Sequence, residues 1–197
     1  MTNPTPRIAR VHRPRSIDEQ ARSVRTRRTV LAAAADLINS GRTVRIDDLT
    51  ASSGVTRGEV HSHFESKTDL VRVLIDDAAD QVHRAYSHGA EAVQGQSAMT
   101  IVEDFVNQLA ANPVLHATCV LWTDHEVAGR ARAATREPLR RALVNALAAS
   151  AELRRDPAIT ADLLLAVITA HTATGGEGVR TVHIRAAVSA LIAEILR

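Results

Sequence analysis

The residues with the most chemical potential gather in one stretch, His61-Ser62-His63-Phe64-Glu65-Ser66-Lys67. It holds two histidines two apart, an acid, and the only lysine among 197 residues. Imidazoles and a carboxylate are zinc ligands. Helical geometry argues against that use: residues two apart point roughly 200° apart, so the two rings cannot share an ion unless the helix breaks. Thr123-Asp124-His125-Glu126 sets two acids around a histidine. At near-adjacent helical positions these groups also diverge, and a solvated surface is expected there. Cys119 follows His116 by three residues, but a cysteine on an apolar helix ordinarily acts as a small buried hydrophobe. There is no Gly-x-Ser-x-Gly and no phosphate loop. Gly-Gly-Glu-Gly at 175–178 lacks the strand-to-helix setting and the lysine of such a loop. The expectation is a protein that is not an enzyme and carries no metal and no cofactor.

Charge distribution points elsewhere. Net charge is only +2, yet the first 28 residues carry eight arginines against Asp18 and Glu19. That is +6 at the head and −4 on the remainder. A basic head on a mildly acidic body suits an anionic partner. The single cysteine excludes a disulfide framework and a Cys-x-x-Cys pair. The N-terminal arginines are followed by no apolar run, so no signal peptide is expected. The most apolar run, Ala161–Ala173, is too short and too polar to cross a bilayer. A cytoplasmic protein without a membrane partner is expected.

The elements that must position these residues read as helices. Aromatics are scarce (Phe64, Tyr86, Phe105, Trp122), so the core must be Leu, Ile, Val and Ala, and no segment alternates like a strand. Residues 1–15 hold three prolines among arginines and read as a disordered basic arm. Ser16 and Glu19 form a capping box, and a helix from Ile17 to Ser40 follows, ended by Gly41 in a left-handed cap. Short helices are predicted from Ile46 to Ser52 and from Arg57 to Phe64, the second capped by Thr56 with Glu59. A long helix runs from Lys67 toward Tyr86, and Ser87–Ser97 reads as a loop near a domain boundary. Ser97 caps a helix over 98–111, and Pro113 opens one predicted to reach Val127. Residues 128–138 read as a basic connector. Helices over 136–153, 159–174 and 179–196 complete an all-α chain, the 159–174 helix being apolar nearly all round.

Two short helices joined by a tight turn make a helix-turn-helix. Ile46, Leu49, Val55 and Val60 pin the pair, leaving Thr56, Arg57, Gly58, His61 and Ser62 outward. A small polar helix with a basic tip is what a DNA major groove accepts.

Here residues 25–76 resemble the DNA-binding domain of the TetR family of bacterial repressors. The resemblance rests on Ala-Ala-x-x-Leu in the first helix (Ala33–Leu37), Gly-Val-Thr-Arg-Gly at 54–58, His63-Phe64, and Ser-Lys-x-x-Leu at 66–70. It implies an N-terminal three-helix helix-turn-helix domain (16–66), a connecting helix and loop (67–96), and a helical ligand-binding and dimerisation domain (97–197). It implies that Arg57, Gly58 and His61 face base edges, that Thr56, Ser62, His63 and Lys67 hold phosphates, and that Thr26 and Arg27 meet the flanking backbone. The partners would be a double-stranded, palindromic DNA operator, a second copy of the chain through helices 159–174 and 179–196, and a small-molecule effector that releases the DNA. The chain departs from the family at His61, where tyrosine is usual, at Arg45, where Ser or Thr usually caps the second helix, and at Thr50, where alanine is usual.

The second half offers no chemistry, only amphipathic and buried helices. Phe105, Leu109, Leu115, Cys119, Trp122 and Leu143 are the candidate lining of an effector pocket, with the indole N–H of Trp122 able to hold one polar group. Ala111–Glu126 is similar to a segment of the actinobacterial γ-butyrolactone-type signal receptors, which implies a butyrolactone- or furan-like signal controlling secondary metabolism. The segment after Glu126 lacks the aromatic residues those receptors place there. A ligand-independent DNA-binding regulator on the same scaffold is the alternative; a purely architectural DNA binder would not need about 100 further residues of apolar helix.

Overall fold

The computed structural model describes residues 17–86, 96–150, 153, 155–173 and 181–195. The basic arm 1–15, Ser16 of the first capping box, residues 87–95 and the Gly175–Gly178 stretch lie outside the described residues. The described elements are helical, and no strand occurs among them.

Helix α1 (Ile17–Asn39) buries Val30, Leu31, Ala34, Leu37 and Ile38 along one face, as a 3.6-residue period requires. Gly41 ends it at φ 71°. Its N–H donates to the Ile38 carbonyl and that of Arg42 to the Leu37 carbonyl, both at 2.9 Å, a Schellman closure that only glycine enters without a Cβ penalty. Helix α2 (Ile46–Ser53) also ends at a left-handed glycine, Gly54 at φ 69°, but by a single bond from its N–H to the Thr50 carbonyl. Helix α3 (Arg57–His63) follows, then α4 (Lys67–Tyr86). Between them the Ser66 hydroxyl accepts the Asp69 N–H, while the Asp69 carboxylate accepts the Glu65 N–H.

Helix α5 (Ala98–Ala111) is capped by Ser97, which accepts the Thr100 N–H at 3.1 Å. Helix α6 (Pro113–Val120) is capped by Asn112 through the Val114 and Leu115 N–H groups. The helix expected to run to Val127 stops here. Leu121–Thr123 tightens into a 3-10 turn, and Asp124 Oδ1 accepts the Glu126 and Val127 N–H groups at 2.8 and 3.0 Å. The carboxylate caps a new start, and a chain so capped cannot also continue the old helix.

The stretch read as a connector is helical: α7 (Ala128–Ala131) runs into a π turn (Arg132–Arg136) and then α8 (Glu137–Ala148). In the π turn the Glu137 N–H reaches the Arg132 carbonyl, five residues back. Pro138 has no N–H to offer, and the Thr135 hydroxyl takes the Ala131 carbonyl at 2.8 Å. Both disturb the regular ladder at this point. Helix α8 ends at Ala148, short of the predicted 153. Helices α9 (Pro157–Ala173) and α10 (Thr181–Ile195) close the described chain.

Helices α1 to α4 form an N-terminal head. Helix α6 packs across α1 and α4, α8 packs on α4 and α9, and α10 lies on α5 and α9. Polar links tie head to body: Asn39 Nδ2 donates to the Pro113 carbonyl at 3.1 Å, Asn112 to Gln81, and Arg130 Nη2 to Asp76 Oδ1 at 2.7 Å.

Candidate nucleic-acid interface

Helix α3 is short, and its cap holds it in shape. The Thr56 hydroxyl accepts the Glu59 N–H at 3.3 Å and donates to Glu59 Oε2 at 2.7 Å, and the same carboxylate accepts the Thr56 N–H at 3.0 Å. Those bonds hold the Glu59 carboxyl below its ordinary range. Leu49 and Val60 are buried between α2 and α3, with Val55 packed against them. The buried side fixes which residues are left outside: Thr56, Arg57, Gly58, His61 and Ser62 are all exposed. A Cβ on Gly58 would meet nothing within 4 Å, so the helix presents a flat, open tip.

The expected contact residues fall into three groups around that tip. Arg57 and Gly58 sit at its front with Thr56, whose hydroxyl already serves the cap. On one side Thr26, Ser62 and His63 share a groove of about 230 Å³ with Glu19, Arg22 and Ser23. In it Ser62 donates to the Glu59 carbonyl at 2.7 Å, and the His63 ring lies against Phe64. On the other side His61 and Lys67 flank a gap of about 20 Å³ over Leu49, Val60 and Phe64. Arg27 is exposed on α1, one residue on from Thr26. Arg22 was not among the expected residues. It lies one helical turn before Thr26, a spacing that could have disclosed it.

The three histidine- and cysteine-centred alternatives resolve differently. His61 is exposed and His63 half-buried on α3, and no group of three or more metal-ligating side chains converges among the described residues. Asp124 of the 123–126 stretch serves as a backbone cap. Cys119 is buried, and burial pushes its thiol well above the ordinary range, the opposite of nucleophile activation.

The expected effector-lining residues are brought together in the body. Phe105, Leu109, Leu115, Cys119, Trp122 and Leu143 are all buried. The Phe105 and Trp122 rings stack nearly parallel with centroids 6.4 Å apart. The indole N–H expected to hold a ligand atom donates to the Thr135 hydroxyl at 2.8 Å. Among the described residues a cleft of about 330 Å³ opens between head and body, bounded by Val44, Lys67, Val71, Leu121 and Val127.

The described helices make an N-terminal helix-turn-helix head on an all-helical body. The fold is that of the TetR-family regulators. The chain aligns with the operator complex of CprB, a TetR-family protein from Streptomyces coelicolor, at a TM-score of 0.63 and 20% identity, over 88% of this chain and 98% of that one. It aligns with a γ-butyrolactone receptor (an ArpA-like protein) at a TM-score of 0.59 and 21% identity, over 89% and 96%. In sequence it is 31% identical over 100 residues to the HTH-type transcriptional repressor LfrR of Mycolicibacterium smegmatis. That match spans about half of each protein, 51% of this chain and 52% of the repressor. No family model matches the chain. No helix among the described residues is long and apolar enough to cross a membrane.

Proposed function

We propose that the chain is a transcriptional repressor that binds a palindromic DNA operator as a homodimer. The observation that carries this reading is the capped α3, whose buried side is locked on α2 while Arg57, Gly58 and His61 project from an open tip. Arg57 reads a guanine edge. Ser62, His63 and Lys67, with Thr56, Thr26 and Arg27, hold the backbone on either side, and Arg22 joins them. The arginines of residues 1–15 add positive charge for the same anionic partner.

The dimer forms through α9 and α10. Ile159 and Leu163 are 60% and 39% exposed, and Ala166 and Ala170 continue their stripe at helical spacing. Ala186, Ala190 and Ala193 leave a similar small-residue face on α10. Exposed apolar side chains of this size on adjacent helices favour a self-complementary contact. Two-fold pairing would carry two heads to half-sites one helical turn apart.

The body is proposed to take an apolar effector through the layer of Phe105, Leu109, Leu115, Cys119, Trp122 and Leu143. Likeness to the γ-butyrolactone receptor supports a butyrolactone- or furan-like signal. An effector held by the indole N–H of Trp122 would have to replace the Thr135 hydroxyl as its acceptor. The closure of that layer favours, as a second reading, a regulator that works without a ligand. Selecting duplexes from a randomised pool with the full chain tests the function: an inverted repeat should be enriched, and recovery of unrelated sequences would overturn the reading. Quenching of Trp122 by a butyrolactone separates the two forms.

A further inference from the structure

Arg57 carries the readout in the function proposed above, and among the described residues Asp47 is the acid recorded beside it. Its Nη1 lies 3.8 Å from Oδ1 of Asp47, with the two side chains 68% and 80% exposed. The other acids of α2 and α3 are committed. Asp48 Oδ1 accepts from Arg42 Nη2 at 2.9 Å, and Glu59 serves the Thr56 cap. The second residue of α2 thus faces the first residue of α3 across the turn, acid to base.

In water such an exposed pair adds little to stability. Against DNA its meaning changes. The guanidinium has two kinds of acceptor there: phosphate oxygens, which every sequence offers, and the O6 and N7 edge of guanine, which one base offers. A carboxylate beside it supplies the counter-charge it would otherwise take from a phosphate, and itself repels phosphate oxygens. Both effects act within a few ångströms, well inside the screening length of physiological salt.

We propose that Asp47 is a positioning residue for Arg57. It holds the guanidinium off the DNA backbone and so keeps nonspecific affinity low and the ratio of specific to nonspecific binding high. The inference rests on Arg57 as the reading residue. It makes an acid within a basic reading surface a determinant of specificity.

The test compares the full chain with Asp47→Asn, Arg57→Ala and the double variant. Each binds a duplex that the parent chain selected from a randomised pool, and a scrambled duplex of the same composition, across a salt series. Asp47→Asn should raise affinity for the scrambled duplex severalfold and lower the ratio. Its salt slope on the scrambled duplex should steepen by about 0.9, one further released counterion. Asp47→Glu should restore the ratio. In the Arg57→Ala background, Asp47→Asn should leave the ratio where Arg57→Ala put it. An unchanged ratio in Asp47→Asn overturns the proposal, and so does an equal change in both backgrounds, which would mark a general charge effect. Should Arg57→Ala alone leave the ratio untouched, the reading of Arg57 fails first and Asp47 has nothing to position. Melting curves followed by circular dichroism keep loss of fold apart from these outcomes.

Discussion

The indole N–H of Trp122 donates to the hydroxyl of Thr135 across 2.8 Å, and that hydroxyl donates onward to the Ala131 carbonyl at 2.8 Å. Both side chains are buried. The bond joins the 3-10 turn after α6 to the π turn that leads into α8, so the largest ring of the body is held by the least regular helical segment. Thr135→Val should strand a buried donor and cost about 1–3 kcal/mol. Urea unfolding followed by Trp122 fluorescence reads it, and an unchanged midpoint would show that the bond contributes nothing.

The cap of α3 is the second point of leverage. Thr56→Ala removes the hydroxyl that satisfies the Glu59 N–H and should cost about 0.5–2 kcal/mol. Because α3 is short, DNA affinity should fall with it. Retained affinity and midpoint together would mean that packing on Leu49 and Val60 alone holds the helix.

Acid should act on the same cap. The Thr56 hydroxyl and backbone N–H hold the Glu59 carboxyl below its ordinary 4.5. A depressed carboxyl stabilises the fold above its unfolded pKa and loses that contribution as pH falls through the folded value. Stability should therefore decline below about pH 4.5 in the parent and less steeply in Glu59→Gln. Parallel pH profiles would remove Glu59 from the account.

His116 on α6 should act higher on the pH scale. Burial pushes its imidazole below the ordinary 6.5, so the folded chain prefers it neutral. The unfolded chain takes up the proton first, and stability is lost as pH falls from 6.5 through the folded value. His116→Gln should flatten the dependence of the urea midpoint between neutral and mildly acidic pH, and an unaltered slope would assign that dependence to other groups.

The local parts of this fold were legible because their causes are local. Thr56 with Glu59, Ser97 at the start of α5 and Gly41 at the end of α1 each act within a few residues, and each stands where spacing placed it. The outward set on α3 followed from the same period that buries Val60. What was not legible depends on distant partners. Helix α6 stops at Val120 where Asp124 caps the next turn and Trp122 is drawn to Thr135. The supposed connector is helical through its Arg130–Asp76 pair and its packing on α4. The Asp47–Arg57 approach needs both helices in place across the turn. The stacked layer around Trp122 was readable as a set of apolar positions, but the use of its indole N–H was not.

Arg57→Ala tests whether α3 reads the operator. The variant is compared with the parent on the parent-selected duplex by quantitative binding, with sedimentation reporting the assembly state of each. Loss of one bidentate guanine contact should cost about 1–3 kcal/mol of discrimination, while the proposed dimer through α9 and α10 persists. An operator affinity equal to that of the parent, with the dimer intact, would contradict the assignment of α3 as the reading helix.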